Sequence, residues 1–246
     1  MHTASQGHAD LPDATPDPDN VGEYLISSRS FAEYEAMFAL SSHDFRGAVL
    51  DCPGGASSFT TMARAQGCHA VAADPVYAMP AAVLTKKVRA ETARGSAHTV
   101  AGFSRYRWDF YGDPAGHREI RGAAAELFVR DYASTVGRPS RYVAAALPQL
   151  PFRRHTFDLA LSSHFLFTYA DRLDESFHLA ALRELLRVAQ EVRVFPLLDQ
   201  GGRALGGLID SLAQSLAGDG VVVRRQQVAY EFQRGGNEML MLRAGS

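Results

Sequence analysis

Short apolar runs alternate with amphipathic stretches along most of this chain. Four runs are compact and end at turn signals, as is typical of buried strands; they span 48–51, 69–73, 141–146 and 156–163. Apolar residues three and four positions apart predict helices at 57–66, 173–189 and 206–216. A further strand is predicted at 191–197, and the turn signal at 234–237 predicts a hairpin of 221–228 with 238–242. Strands that alternate with helices predict a doubly wound, mostly parallel α/β sheet, to which the hairpin adds an antiparallel strand.

The stretch 77–139 departs from this alternation. It has no strong strand candidate, but helical stretches occur near 81–92 and 120–136. We therefore expect a helical cap inserted between two strands of the sheet.

The N-terminal part of the chain has its own pattern. Residues 1–20 hold three prolines and no apolar run, so we expect a disordered leader, followed by one domain over 21–246. The segment 21–40 has the periodicity of one or two helices. Ser30, with Glu33 three residues later, predicts a capping box at a helix N-terminus.

Composition narrows the possible function classes. Basic and acidic residues number 25 and 27 among 246, a net charge of −2, so the chain lacks the positive excess that sequence-independent nucleic-acid binding requires. Cys52 and Cys68 are too few for a disulfide framework or a structural zinc site, as is typical of a reducing compartment. No apolar run approaches the roughly 20 residues that span a bilayer. We expect a cytoplasmic protein with free thiols, no bound metal and no membrane partner.

The turn after the first predicted strand is a candidate binding site, because open parallel sheets bind ligands at the carboxyl ends of their strands. Gly54 and Gly55 permit a close backbone approach there. Asp74 ends the second predicted strand, nineteen residues after Gly55, and could accept hydrogen bonds from both hydroxyls of a ribose. The turn lacks the G-x-G-x-x-G pattern of dinucleotide sites, and Asp51 before it would repel a pyrophosphate but suit an ammonium group.

The stretch from Asp51 to Ser58 resembles motif I of the class I S-adenosylmethionine-dependent methyltransferases, and the resemblance extends along nearly the whole chain. Asp74-Pro75 looks like that family's ribose-binding acid, 147–152 like the segment near the adenine, and 157–164 like its fourth strand. The resemblance implies a seven-stranded Rossmann-like sheet with an antiparallel last strand, and S-adenosyl-L-methionine as the cofactor. The cofactor-binding residues that it implies are Tyr24, Arg29, Asp51, Cys52, Pro53, Gly54, Gly55, Asp74, Pro75, Leu147, Ser162 and Ser163.

Two departures from the family's pattern matter. Pro53 and Ser57 stand where the usual motif has glycine, so the loop is expected to follow a different course. At the fourth strand, Ser-Ser-His-Phe at 162–165 replaces the Asn/Asp-Pro-Pro-Tyr of many enzymes that methylate amide or exocyclic amino nitrogen. This counts against a DNA or glutamine substrate.

Few catalytic residues are needed when the methyl group is already activated. His164, at the end of the fourth predicted strand, is the candidate general base because imidazole titrates near neutrality; the alternative is a hydrogen bond to the cofactor or backbone. Arg29 is expected to pair with the cofactor's carboxylate, or else to be a solvated charge on a helix. Tyr169 is a candidate substrate contact, with core packing as the alternative.

The nine residues at 103–111 hold five aromatic residues and two arginines, more than a connector needs. We interpret this segment, with Trp108 at its centre, as an aromatic lid over a small-molecule acceptor. An RNA-stacking surface and a small satellite core are the alternatives.

Together these features predict a class I methyltransferase acting on a small molecule, with oxygen as the favoured nucleophile. Two other classes stay open. One is a nucleotide-dependent oxidoreductase of similar topology, and the other is a protein that binds S-adenosylmethionine without catalysis.

Overall fold

The computed structural model describes residues 24–135 and 141–245. The helices are α1 Phe31–Phe38, α2 Phe59–Ala65, α3 Ala81–Ala101, α4 Pro114–Ser134, α5 Glu175–Val188 and α6 Gly206–Gly218. The strands are β1 Ala48–Asp51, β2 His69–Ala73, β3 Tyr142–Val143, β4 Phe157–Ser163, β5 Ala189–Phe195, β6 Val221–Gln227 and β7 Glu238–Ala244. Short 3-10 helices span Asp44–Arg46, Pro75–Ala78 and Phe103–Arg105.

In the described residues, seven strands form one sheet in the order β3-β2-β1-β4-β5-β7-β6. The pairs among β1 to β5 are parallel, and β7 lies antiparallel between β5 and β6. The chain builds outward from β1 to β3 and then crosses to β4, so the strand order reverses between β1 and β4. The predicted fold class is confirmed: a doubly wound, mostly parallel sheet with an antiparallel last strand and a helical insertion.

Side chains of the central strands alternate between two cores, one on each face of the sheet. In β1, Leu50 packs with α5 and α6, whereas Val49 packs with α1 and α2. In β4, Ala160 joins the first of these cores and Leu161 the second. A strand covered on both faces needs apolar residues at nearly every position. This is why β1 and β4 could be recognised in the sequence as continuous apolar runs.

The inserted helices α3 and α4 lie between β2 and β3 and are longer than predicted. α4 begins at Pro114, because the Asp113 carboxylate accepts a hydrogen bond from the Gly116 amide at 2.8 Å and proline suits the first helical turn. α3 continues past its predicted end through Gly95, which packs against Leu25; a Cβ at Gly95 would lie 3.1 Å from the Leu25 side chain. Tertiary packing thus overrides the weak helix propensity of glycine.

The predicted hairpin forms, and β6 and β7 end within one or two residues of the predicted strands. Strand pairing closes at Gln227 opposite Glu238, so residues 228–237 form the connecting loop. Tyr230 and Phe232 of this loop are buried in the core beside α1 and α2. The loop is long because it carries these two aromatic side chains back into the protein.

The remaining predictions for local structure are met in part. The capping box is confirmed, since the Ser30 hydroxyl accepts from the Glu33 amide and the Glu33 carboxylate accepts from the Ser30 amide. One helix forms within 21–40, and the strand predicted at 141–146 is reduced to Tyr142–Val143. The leader predicted over 1–20 lies outside the described residues. Within 24–135 and 141–245, no helix is both long and apolar enough to cross a membrane.

Candidate functional site

A cleft of about 650 Å³ lies at the carboxyl ends of β1, β2 and β4, where the strand order reverses. Open parallel sheets bind ligands at this position. The predicted cofactor-binding residues that line the cleft are Tyr24, Cys52, Pro53, Gly55, Asp74, Pro75, Leu147 and Ser163. His164 and Tyr169 line it as well. The structure therefore brings most of the candidate residues together.

A larger depression, of about 1370 Å³, lies at the opposite end of the sheet. Its lining includes Gly47, Asp158 and Gln190, which stand at the amino ends of strands. Some charges on its rim are paired, as in the 2.8 Å ion pair between Arg183 and Asp219. Because ligand sites of such sheets lie at the carboxyl ends, we take the smaller cleft as the candidate site.

The turn after β1 owes its glycines to close packing within the chain. A Cβ at Gly54 would lie 2.6 Å from the Tyr77 hydroxyl, and Gly54 does not line the cleft. Gly55 has a φ of +52°, in the left-handed region, and a Cβ there would lie 3.0 Å from the Ser27 carbonyl oxygen. The Cys52–Pro53 peptide bond is cis. A side chain at either position would clash with these neighbours and displace the turn.

Asp74 directly follows β2 and is 7% exposed at the wall of the cleft. Its Oδ2 accepts from the Gly55 amide at 2.9 Å, and its Oδ1 accepts from the Val76 amide at 3.0 Å. Burial raises the pKa of Asp74, and these two hydrogen bonds oppose that rise. Each carboxylate oxygen has a second lone pair, so Asp74 is held in place and can still accept hydrogen bonds from a ligand.

Asp51 is fully buried and does not line the cleft. The Tyr34 hydroxyl donates to its Oδ1 at 2.9 Å, and the Ser57 hydroxyl donates to its Oδ2 at 2.8 Å. Burial raises the pKa of Asp51 to about 7 against the effect of these hydrogen bonds. Its carboxylate ties α1 to the start of α2. We expected it to interact with an ammonium group directly or through water, and a direct contact would require Asp51 to reach the wall of the cleft, which it does not. Ser162 is also buried and outside the lining.

The segment before α1 lies against the cleft through an aromatic pair. The ring centroids of Tyr24 and Tyr169 are 4.7 Å apart, and the Leu25 amide donates to the Tyr169 hydroxyl at 2.9 Å. The Arg172 guanidinium lies 5.6 Å and 5.2 Å from the two ring centroids. Edge-on aromatic pairs and cation–π contacts of this kind hold a segment in place without a strand or helix.

His164 lies at the end of β4 in a left-handed backbone conformation, with φ of +49°. Its amide donates to the Phe195 carbonyl at 2.7 Å, and its Nδ1 is 3.0 Å from the Ser163 hydroxyl oxygen. Burial lowers the pKa of His164 well below its usual range, and the positive charges of Arg29 and Arg121 lower it further. The imidazole is therefore neutral at pH 7. Such strain in a non-glycine residue is concentrated at functional sites.

A second cavity, of about 120 Å³, adjoins the cleft. The residues that line both are Leu25, Ile26, Ser27, His164 and Tyr169. Arg29 lines this cavity and not the cleft, and it is only 8% exposed, which excludes the solvated helix charge considered above.

Arg29 belongs to a buried ion cluster with Glu33 and Arg121. Glu33 Oε1 lies 2.8 Å from Arg121 Nη2 and 3.6 Å from Arg29 Nη1. The same oxygen accepts from the Tyr111 hydroxyl at 2.6 Å, and the Tyr230 hydroxyl lies 3.3 Å away. Burial alone would raise the pKa of Glu33, but Arg121 and Arg29 hold it below its ordinary value. Sequence reasoning found Glu33 only as a helix cap and missed Arg121.

Trp108 lines neither the cleft nor the adjoining cavity. Its ring stacks on Phe103 at 5.2 Å and meets Phe232 edge-on at 5.4 Å. The Arg107 amide donates to the Phe232 carbonyl at 2.7 Å, so the segment around Trp108 packs on the loop between β6 and β7. Of the predicted lid, Tyr106 lines the cavity. Trp108, which the sequence places in a lid over the acceptor, thus has neighbours from a distant loop that the local pattern did not reveal.

The described residues contain no disulfide and no cluster of potential metal ligands. Cys52 and Cys68 are both free and buried. In the two described ranges, no group of three or more His, Cys, Asp or Glu residues is arranged to hold a metal ion.

Comparison with known proteins finds relatives at low identity. No protein-family model matches the chain. The uncharacterized protein MJ0045 of Methanocaldococcus jannaschii is 27% identical over 225 residues, which cover 91% of this chain and 98% of that protein. The PH0226 protein of Pyrococcus horikoshii OT3 is 13% identical, with a TM-score of 0.43 over 87% of this chain and 90% of the other. The methyltransferase domain of bacterial CtHen1-C is 15% identical, with a TM-score of 0.41 over 88% and 100%. These structural similarities are distant, and the fold is established by the strand order itself.

Proposed function

We propose that this chain is a class I S-adenosylmethionine-dependent methyltransferase that acts on a small molecule. The position of the cleft carries the proposal: it lies at the β1–β4 switch point of a sheet whose β7 is antiparallel between β5 and β6. Dinucleotide-binding sheets have the order 3-2-1-4-5-6, without such an inserted strand. The topology therefore favours the methyltransferase over the oxidoreductase.

The residues of the cleft fit the proposed cofactor. Asp74 has lone pairs for ribose hydroxyls, and Pro75, Leu147 and Phe177 offer apolar surface for an adenine. The volume of about 650 Å³ is within the usual range for small-molecule sites. At Asp51 the fit departs from the expected contact, because both carboxylate oxygens already accept hydrogen bonds from side chains.

When bound, S-adenosylmethionine supplies a methyl group on an activated sulfonium. The protein then has to place an acceptor atom in line with that group and take up its proton. His164 lines both the cleft and the adjoining cavity, and it is neutral at pH 7. With Nδ1 beside the Ser163 hydroxyl, its Nε2 is the atom that would hold a proton from an acceptor hydroxyl. We take the acceptor atom to be a hydroxyl oxygen, whose proton becomes acidic as the oxygen attacks the methyl group, so that a base of lowered pKa can accept it.

Titration calorimetry with S-adenosylhomocysteine and with NAD⁺ tests the cofactor. We expect S-adenosylhomocysteine to bind and NAD⁺ to give no comparable heat. Asp74→Ala should weaken the binding, whereas Asp109→Ala, at an exposed acid, serves as a control. Binding of NAD⁺ without binding of S-adenosylhomocysteine would refute the proposal in favour of the oxidoreductase.

A transfer assay tests the reaction. Methyl-tritiated S-adenosylmethionine is incubated with the protein and with separated small-molecule, protein and nucleic-acid fractions of a cell extract. We expect label to enter the small-molecule fraction. Label in a macromolecular fraction would refute the small-molecule acceptor, and cofactor binding without transfer to any fraction would favour the non-catalytic binding protein.

A further inference from the structure

The cavity beside the cleft has polar walls made by segments far apart in the chain. Its lining includes Arg29 before α1, Ser96 of α3, Arg121 and His117 of α4, and Thr168 after β4. Arg29 and Arg121 are 8% and 7% exposed, and His117 is 3% exposed. Polar groups buried in the walls of a small cavity between these four segments lower stability unless they acquire hydrogen-bond partners.

Several of these side chains have polar atoms without a hydrogen-bond partner among the described residues. They are Nε and Nη1 of Arg29, Nε of Arg121, Nε2 of His117, and the hydroxyl oxygens of Ser96 and Thr168. Buried polar atoms are almost always hydrogen-bonded in folded proteins. Their concentration around one cavity therefore points to a ligand that accepts hydrogen bonds.

The charges around the cavity do not balance. Glu33 is the carboxylate in contact with Arg29 and Arg121, so one negative charge faces two positive ones. A second acid, Glu91, lines the cavity but is paired with Arg94 at 2.6 Å. Among the described residues, the two buried guanidiniums therefore share one carboxylate, and a buried charge calls for a counter-charge.

We propose that this cavity binds an oxyanion, a carboxylate or a phosphate, carried by the methyl acceptor. The inference rests on the proposed function and specifies the class of its substrate. A volume of about 120 Å³ equals that of roughly four water molecules, enough for an oxyanion group but too small for a nucleoside. The cavity shares His164 and Tyr169 with the cleft. A molecule anchored here by its oxyanion would extend past His164 toward the cofactor cleft.

Inorganic phosphate and acetate are the probes. Each is titrated into the protein saturated with S-adenosylhomocysteine, at constant ionic strength set with chloride. We expect binding of at least one probe, and a loss of about tenfold or more in its affinity for Arg121→Gln, since a charge-assisted hydrogen bond is removed. Arg118→Gln changes an exposed arginine on the same helix and should leave the affinity unchanged. Ser96→Ala, which removes an unpaired hydroxyl without touching the ion cluster, should also weaken binding and covers the case in which Arg121→Gln does not fold.

A second arm separates the acceptor from the cofactor as the source of the oxyanion. Wild type and variants are titrated with S-adenosylhomocysteine and with 5′-methylthioadenosine, which lacks the aminoacyl carboxylate. We expect Arg121→Gln to leave the affinity ratio of the two ligands unchanged. The inference is overturned if the variant loses its preference for S-adenosylhomocysteine, which would assign the cavity to the cofactor, or if neither probe binds better than chloride. Failure of S-adenosylhomocysteine itself to bind the wild type would instead count against the proposed function.

Discussion

Protonation of the buried His117 should contribute to the protein's sensitivity to acid. His117 is 3% exposed, and its ring stacks on Phe232 at 5.0 Å and meets Tyr111 edge-on at 4.7 Å. Burial lowers the pKa of His117 from 6.5 to about 3, and the charge of Arg121 acts in the same direction, against Glu33. The folded protein therefore keeps this imidazole neutral where the unfolded chain protonates it.

The sign and size of the effect follow from that difference. Between pH 6.5 and about 3, the unfolded state binds a proton at this position that the native state excludes, so lowering the pH favours unfolding. The stabilisation is complete above pH 6.5 and is lost progressively below it. At pH 5 the unfolded-state pKa of this histidine lies about 1.5 units above the pH. The unfolding free energy is therefore about 2 kcal/mol lower at pH 5 than at pH 7.5.

Urea unfolding at pH 7.5 and pH 5 measures this cost. His117→Phe keeps an aromatic ring against Phe232 and removes the titrating group, so its unfolding free energy should fall by about 2 kcal/mol less than that of the wild type. His43→Gln, which changes an exposed histidine, should behave as the wild type does. The buffers must contain no phosphate or carboxylate, because an oxyanion in the adjoining cavity would stabilise the native state by itself. If His117→Phe loses as much stability as the wild type, His117 is not the group responsible.

Three further changes probe the cleft and its surroundings. Asp74→Ala should weaken S-adenosylhomocysteine binding by about 1.5–3 kcal/mol, the scale of a hydrogen bond to a charged group, and calorimetry measures it; unchanged affinity would remove Asp74 from the site. His164→Asn keeps a residue that tolerates the left-handed conformation, and should lower kcat by about a hundredfold with little change in cofactor affinity; the reverse pattern would make His164 a binding residue. Trp108→Ala should lower the unfolding free energy by about 2 kcal/mol, since this half-buried ring packs on Phe103 and Phe232. A rise in the KM of the acceptor at unchanged stability would instead indicate that Trp108 covers the acceptor, as a lid does.

The sheet and the cleft with Asp74 and His164 were predictable because short stretches of sequence indicate them. The strands β1, β2 and β4 are buried on both faces and therefore appear as continuous apolar runs. A parallel sheet brings the carboxyl ends of these strands together, so Asp74 and His164 could be assigned to one cleft from their positions alone. The structure places both on its wall.

The cavity beside the cleft could not be predicted, because the residues around it come together only through tertiary packing. Arg121 stands on α4, whose sequence is polar enough to suggest a solvent-exposed helix. It is buried because α4 packs where Glu33, Tyr111 and Tyr230 converge, and Tyr230 comes from the loop between β6 and β7. A pattern of apolar spacing records which face of a helix is buried, but not that an arginine on that face has a carboxylate opposite it.

Glu33 belongs both to the capping box of α1 and to the buried ion cluster, because its two carboxylate oxygens have different partners. Its Oε2 accepts from the Ser30 amide at 2.8 Å and so completes the capping box of α1. Its Oε1 is left to meet Arg121 and Arg29. A glutamine could satisfy the cap equally well, but it would leave two buried guanidiniums without a counter-charge. The capping box therefore explains why the residue at this position has a side-chain oxygen. The two buried arginines beside the cavity explain why that residue is an acid.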